Sequence, residues 1–562
     1  STPRRLTRRR REERMQNNTQ GRPESLDSPQ LLDDLLRAAV AQFGGCPAMD
    51  FLGRRWMYWQ LGALVDRATR GLQDLGVGPG VKVGLCLPNT PYYVVLYYAV
   101  LRAGGTVVNY NPLYVERELT HQIRDSGTTI MAVMDLEAVY RRVANVAAGA
   151  GLRRLIVCPM TGILPPAKAM RFRLFKRRDR ARIAMGGLHV SFADIVGNPA
   201  PASPVTIDPA DLAVLQYTGG TTGVPKGVML SHANLAANAY QARVHWRAAR
   251  PGHERVLAVL PFFHVFAMTS VLNYAIGLAA EIVMLPRFEL TAMLKAITRR
   301  RVTIVNAVPT IYTAVNAAAA AGKVDLGSLV FSVSGGAPLP PEVREQFVKL
   351  TGCKLVEGYG LSEASPVVSC NPPDGLVKPG SAGVAMVDTV IEIRDPDSGQ
   401  LRATGERGEV CVRGPQVMGG YWQRPDDTAA VFVDGALRTG DIGYLDEDGY
   451  LFLVDRIKDI ILCGGYNVYP RVLEDALYEH PAVLEATVIG VADAYRGQAP
   501  KAFVVLRKGI PVTPDELKSF LAGYVSKIEL PREVVIRDSL PKTMIGKLSK
   551  KELVAEEAGS AG

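Results

Sequence analysis

Residues 217–227 read Tyr217-Thr218-Gly219-Gly220-Thr221-Thr222-Gly223-Val224-Pro225-Lys226-Gly227. Glycines let backbone N–H groups approach an anion closely, threonine hydroxyls can bond it, and the lysine adds a mobile positive charge. This is phosphate-handling chemistry. The Walker phosphate loop has Gly before its lysine and Ser or Thr after it, the hydroxyl holding a metal ion. Here Pro225 precedes Lys226 and Gly227 follows it, so the Walker reading fails, and a glycine-rich surface loop is the plain alternative.

Other stretches carry groups of similar use. Phe331-Ser332-Val333-Ser334-Gly335-Gly336-Ala337-Pro338 and Glu357-Gly358-Tyr359-Gly360-Leu361-Ser362-Glu363 each run a strand-like segment into glycines. Arg438-Thr439-Gly440-Asp441 places a carboxylate after a turn, and Asp455-Arg456-Ile457-Lys458-Asp459 leads into Gly464-Gly465-Tyr466. Near the end, Leu540-Pro541-Lys542-Thr543-Met544-Ile545-Gly546-Lys547 closes on a Gly-Lys pair. Taken singly, Tyr359 reads better as a core tyrosine and Lys547 as part of a solvated basic tail, and the Arg456 to Asp459 run has the look of an exposed charged turn.

Taken together and in this order, these segments resemble the adenylate-forming superfamily of acyl-CoA synthetases, adenylation domains and luciferases. The resemblance runs from about Asp27 to Leu553. It implies that Thr218, Gly219, Gly220, Thr221, Thr222, Gly223 and Lys226 handle the nucleotide phosphates. Gly335, Gly336, Ala337, Tyr359 and Gly360 would surround adenine, and a flat base does suit one aromatic face and one face without side chains. Glu363 and Thr218 would hold Mg²⁺, a hard ion that takes oxygen ligands while bridging phosphates, and Ser362 would bind the nucleotide. Asp441 would accept the ribose hydroxyls, for which a carboxylate has the acceptor capacity. Arg456 would face the nucleotide, Lys458 would be a pivot between domains, Gly465 would let a pantetheine arm pass, and Lys547 would reach both the attacking carboxylate and the α-phosphate. Relatives often carry Thr at Ser362, His at Arg438, Trp at Ala436 and Glu at Gln498, and a more arginine-rich ending than Ser549-Lys550-Lys551.

The segment Pro261-Phe262-Phe263-His264-Val265-Phe266-Ala267-Met268 bears on the substrate. It has no aspartate to pair with a buried ammonium, so an amino-acid substrate is disfavoured. His264 matches a position near the acyl carboxylate, with a packing histidine as the alternative. The wording of Gly414 to Trp422 and Gly465 to Pro470 looks most like bacterial long-chain fatty-acyl-CoA ligases. The implied cofactors and substrates are ATP, CoA, Mg²⁺ and a carboxylic acid, with a long-chain fatty acid first. Alternatives in the same superfamily are a fatty-acyl-AMP ligase serving a carrier protein and a medium-chain or aryl acid CoA ligase. A non-catalytic nucleotide-binding membrane scaffold is the reading from a different class.

Strands must alternate with helices to hold these groups. Apolar runs at 81–87, 106–108, 130–134, 154–158, 213–217, 256–260, 281–285 and 304–307 are separated by helical patterns such as Tyr58 to Leu75, so βαβ units and parallel sheets are expected. From about Glu409 short strands and tight turns take over, and beyond Asp459 lies a small α+β unit. The fold class is therefore α/β, with a large N-terminal part, a β-rich subdomain and a small mobile C-terminal domain. The expected divisions are a basic disordered tail (1–26), an ATP- and acyl-binding domain (27–455), a hinge (456–458), a C-terminal domain (459–555) and a frayed end (556–562).

With 562 residues and an ordinary apolar and charged balance, the chain is long enough for several cores. Its seven cysteines are scattered, with no CxxC pair, which fits reduced thiols and excludes a zinc-ligand pattern. No apolar run reaches the ~20 residues needed to span a bilayer. The N-terminal arginines lack the apolar segment of a secretory signal, and Met15 just behind them offers a later start. A cytoplasmic location is expected. The net charge of +10 is concentrated in that tail and in Lys168 to Arg182, where Met170, Phe172, Leu174 and Phe175 interleave with eight cations. Such a stretch suits an anionic membrane surface on the inner face, or is simply a solvated loop; nucleic acid is not indicated. Oligomeric state stays open, with a homodimer among the arrangements.

Overall fold

The computed structural model describes residues 30–218, 225–322, 324–463, 466–493, 495–543 and 546–560. The basic tail, the phosphate-loop residues Gly219, Gly220, Thr221, Thr222 and Gly223, and Gly465 lie outside them.

Two large, mostly parallel sheets form the N-terminal part. One has eight strands in the order 420–421, 226–231, 212–218, 106–109, 82–86, 130–134, 154–158, 189–191. Its strand Leu212–Thr218 is buried over most of its length, as its apolar composition demands, and pairs antiparallel with Lys226–Ser231, Thr218 lying opposite Lys226. The two strands flanking the phosphate loop in sequence are thus antiparallel neighbours. The second sheet has nine strands, with Phe331–Gly335 and Lys354–Gly360 parallel neighbours that end side by side.

Helix Pro91–Arg102 links the two layers. Every residue from Pro91 to Leu101 is buried, which an all-apolar helix requires, and the Thr90 hydroxyl caps its first turn by accepting from the Tyr93 N–H. The polar ends of its tyrosines find buried partners: Tyr93 donates to Asn109 Oδ1 at 2.6 Å and Tyr98 to Asn273 Oδ1 at 3.1 Å. A buried hydroxyl without such a partner is costly, so these bonds fix the register between the layers.

The β-rich part begins at strand Val390–Arg394, earlier than the expected Glu409, because Ile391 and Ile393 already point inward and pair along Gly408–Arg413. Strands Phe432–Val433, Ala436–Leu445 and Leu451–Arg456 complete it. Residues 461–553 carry their own five-stranded sheet and two apolar clusters, one around Val488, Val504 and Leu473 and one around Phe503, Leu540 and Leu553. The segment expected to fray from Glu556 instead extends helix Lys550–Ser560, because Leu553 is buried and Glu556 and Glu557 pair with Arg537 (2.7 Å) and Lys501 (2.9 Å). Among the described residues no helix is long and apolar enough to cross a membrane.

The basic stretch folds as helix Pro166–Phe175 followed by a short turn, Arg177–Asp179. Phe172 packs against the core, whereas Met170, Leu174 and Phe175 are exposed, Phe175 at 78%. Lys176 and Arg180 are ion-paired within the chain, to Asp179 and Asp135.

Candidate active site

The strand ends converge on one cleft of about 650 Å³. It is lined by Thr218 and Lys226 from the antiparallel pair, Gly335 and Gly336 beyond Phe331–Gly335, and Gly358 to Glu363 beyond the neighbouring strand. Asp441, Arg456 and Lys458 line it from the β-rich part and its exit, and Lys547 from the C-terminal part. A crevice at the carboxyl ends of parallel strands is where such sheets bind ligands. Ala337 is the one described residue of the expected set that does not line it: it lies past the turn at Gly336, whose φ of +82° directs the chain away.

Asp441 is held from two sides. The Tyr359 hydroxyl donates to its Oδ2 at 2.5 Å, and Arg456 Nε lies 3.2 Å from its Oδ1. Burial and the adjacent Asp441 charge push the Tyr359 phenol well up, so it remains a donor. The turn carrying Asp441 is fixed by Glu409, which accepts from Arg438 Nε at 2.7 Å and from the Gly440 N–H at 3.1 Å. This is the contact that Arg438 makes with Glu409. Only two distant strands coming together reveal it.

Lys226 Nζ pairs with Asp427 Oδ1 at 2.7 Å and sits 5.2 Å from the centre of the Tyr421 ring. The Tyr421 hydroxyl donates to Glu363 Oε1 at 2.9 Å. Neither Tyr421 nor Asp427 was legible as a site residue, because each acts through contacts far along the chain. Thr218, Glu363 and Ser362 offer only oxygen atoms, and no group of three or more His, Cys, Asp or Glu side chains gathers among the described residues. That donor set fits a magnesium ion, which binds through one or two carboxylates and substrate phosphates rather than in an all-protein cage.

Lys547 reaches the cleft from the other part of the chain. Thr310 Oγ1 donates to the Gly546 carbonyl at 2.9 Å, bridging the two parts beside it. Desolvation, with the Arg456 charge, brings the Lys547 ammonium down to about 8. Desolvation and Lys547 together push His264 down to about 3, so His264 is neutral, and its Nδ1 accepts from the Phe266 N–H at 3.3 Å. The lining also includes the apolar side chains of Val265, Phe266 and Val333, and Trp246, which is 1% exposed. The buried residues Met268–Asn273 behind it form a π-helix, a distortion frequent at functional sites.

Known proteins resemble this chain over nearly all of its length. The AMP-binding enzyme family matches residues 36–422, and the AMP-binding enzyme C-terminal domain matches residues 472–547. The chain belongs to the AMP-binding enzyme family. It is 40% identical over 548 residues to a long-chain-fatty-acid–CoA ligase of Bacillus subtilis, covering 95% of this chain and 96% of that one. A long-chain-fatty-acid–CoA ligase of Escherichia coli O157:H7 is 37% identical over 542 residues, with 95% and 96% covered. Among solved structures, ATP-bound MatB from Rhodopseudomonas palustris superposes with a TM-score of 0.80 at 29% identity, covering 93% of this chain and 98% of that one. The α/β architecture with a small C-terminal part is thus the fold of this AMP-binding enzyme.

Proposed function

We propose that this chain is an ATP-dependent long-chain fatty-acyl-CoA ligase. The observation that carries the reading is that Lys547 lies near enough to His264 to push it down, in a cleft that Val265, Phe266 and Val333 also line. A carboxylate placed there has its head beside a positive charge and its chain along Val265, Phe266 and Val333. The ligases of B. subtilis and E. coli, similar over nearly the whole length, support a fatty acid as the acid and CoA as the acceptor.

In the first half-reaction a carboxylate oxygen attacks the α-phosphorus of ATP, the α–β bridging bond breaks, and acyl-AMP and pyrophosphate form. Lys547 neutralises the charge that gathers on the carboxylate and α-phosphate, an electrostatic role that needs no movement of a proton. Thr218, Gly219, Gly220, Thr221, Thr222, Gly223 and Lys226 bind the β- and γ-phosphates. Tyr359 stacks on adenine with Gly335, Gly336 and Gly360 opposite, and Asp441 accepts the ribose hydroxyls with its remaining lone pairs. Glu363 and Thr218 would hold Mg²⁺, which would offset the charge of the leaving pyrophosphate, with the Ser362 hydroxyl on the nucleotide. Neutral His264 lines the approach of the carboxylate without competing for a proton.

In the second half-reaction the CoA thiolate attacks the acyl carbonyl and AMP leaves. Residues 27–455 and 459–555 act as two domains, and rotation at 456–458 about Lys458 brings Gly465 to the pantetheine arm. Separate apolar clusters on either side of that boundary support such a division. Leu174 and Phe175, with the cations around them, form a reversible contact with an anionic membrane surface.

The test is a pyrophosphate-release panel of acetate, octanoate, palmitate and 4-coumarate with MgATP, with and without CoA. Palmitate should give the highest kcat/KM, and thioester should form only with CoA. A preference for acetate or 4-coumarate would contradict the fatty-acid reading.

A further inference from the structure

Lys226 and Glu363 stand on different sheets. Lys226 opens a strand of the eight-stranded sheet, and Glu363 follows the end of strand Lys354–Gly360 in the nine-stranded one. A metal–triphosphate must meet both at once, the carboxylate on the cation and the ammonium on the phosphates. One side chain touches both.

We propose that Tyr421 is a positioning residue that sets the spacing between Glu363 and Lys226, its hydroxyl holding the carboxylate and its ring supporting the ammonium. This rests on the function proposed above.

The segment that carries Tyr421 is built rigidly against the strand that Lys226 opens. Strand Gly420–Tyr421 pairs antiparallel with Lys226–Ser231, Tyr421 opposite Val228, and the Trp422 N–H donates to the Gly227 carbonyl at 2.7 Å. The Tyr421 N–H donates to Thr428 Oγ1 at 2.9 Å, closing the chain on helix Pro425–Ala430, which brings Asp427 to Lys226. Gly420 has φ of +139°, and a Cβ there would lie 2.6 Å from Thr428 Cγ2, so the closure requires glycine. Beyond Tyr421, Arg424 and Trp422 bond Asp125, whose Oδ2 also accepts from Tyr217 at 2.6 Å, one residue before Thr218.

The phenol is suited to this work. Tyr421 is 9% exposed, and its hydroxyl donates to Glu363 Oε1 at 2.9 Å. Its bond fixes one oxygen of Glu363 and leaves the orientation of the other determined. Its face sits under the Lys226 ammonium at cation–π distance. Groups one step behind a metal ligand commonly change metal affinity 10- to 100-fold when lost, roughly the effect expected here.

The experiment measures calorimetric binding of α,β-methylene-ATP, which has no cleavable α–β oxygen bridge, across a range of Mg²⁺ concentrations, alongside adenylation kinetics. Tyr421→Phe keeps the ring and loses the hydroxyl. It should raise half-saturating Mg²⁺ about tenfold, with kcat recovering at saturating Mg²⁺ and the thermal midpoint unchanged. Tyr421→Leu, which also loses the ring, should remain weak at saturating Mg²⁺. In a Glu363→Gln background, Tyr421→Phe should add nothing further. A folded Tyr421→Phe protein with the wild-type Mg²⁺ dependence, or full additivity with Glu363→Gln, would overturn the proposal. A wild-type protein that does not bind the analogue would instead overturn the function on which it rests.

Discussion

Lys547 and Gly336 touch across the two parts of the chain: a Cβ on Gly336 would lie 2.6 Å from Lys547 Cε and 3.1 Å from Nζ. Gly336 has φ of +82°, a conformation that side chains resist, and the space it leaves is where the lysine passes. The residue expected from its place near the C-terminus thus lies against a residue expected beside the nucleotide.

If Lys547 neutralises charge only in adenylation, Lys547→Ala should slow acyl-AMP formation by ~10² to 10³, as loss of a single stabilising group typically does. Thioester formation from pre-made acyl-AMP should stay near the wild-type rate. Single-turnover pyrophosphate release and a separate thiolysis assay measure the two; equal losses would remove Lys547 from this role.

The Lys547 pKa sets a pH dependence. Its value is lowered to about 8, so the charged form is full below that pH and is lost as pH rises through it. Because kcat/KM reports groups of the free enzyme, kcat/KM for ATP in adenylation should fall on the alkaline side with an apparent pKa about 8. Lys547→Arg stays charged throughout and should abolish that limb, even at a reduced plateau. An alkaline limb retained in the arginine variant would assign it to another group.

Lys458 lies in the short turn Ile457–Asp459 between strand Leu451–Arg456 and the C-terminal sheet. Proline fixes φ, so Lys458→Pro should hinder rotation there and slow thioester formation more than adenylation. Stopped-flow assays of each half-reaction decide it, and a wild-type thiolysis rate would place the pivot elsewhere.

For the membrane contact, each Lys or Arg near an anionic surface contributes ~1 kcal/mol. Replacing Arg173, Lys176, Arg177 and Arg178 by Glu should abolish co-sedimentation with phosphatidylserine vesicles and reduce activity on vesicle-borne palmitate, leaving octanoate turnover unchanged. Phe172, turned into the core, takes no part. Vesicle binding equal to wild type would identify this helix as a solvated surface.

What was legible in the sequence follows from range. The strand preceding the phosphate loop, helix Pro91–Arg102 and the glycine turns are local patterns, so their positions could be read from periodicity and composition. Thr218, Glu363, Asp441 and Lys547 stood in motifs a few residues long, and the folded chain gathers them in one cleft. Tyr421 is 58 residues from Glu363, and Asp427 is 201 from Lys226, separations at which no spacing rule operates. The same holds for Glu409 with Arg438, and for the ion pairs that keep 556–560 helical. Ala337 does not line the cleft, since a motif gives order along the chain and not the direction of the turn at Gly336.

The most direct measurement uses palmitate labelled with ¹⁸O in both carboxylate oxygens, incubated with MgATP and CoA, the products being weighed by mass spectrometry. Attack of the carboxylate on the α-phosphorus places one ¹⁸O in AMP and leaves one in palmitoyl-CoA, with pyrophosphate unlabelled. Unlabelled AMP, or label in orthophosphate released with ADP, would contradict an acyl-adenylate route.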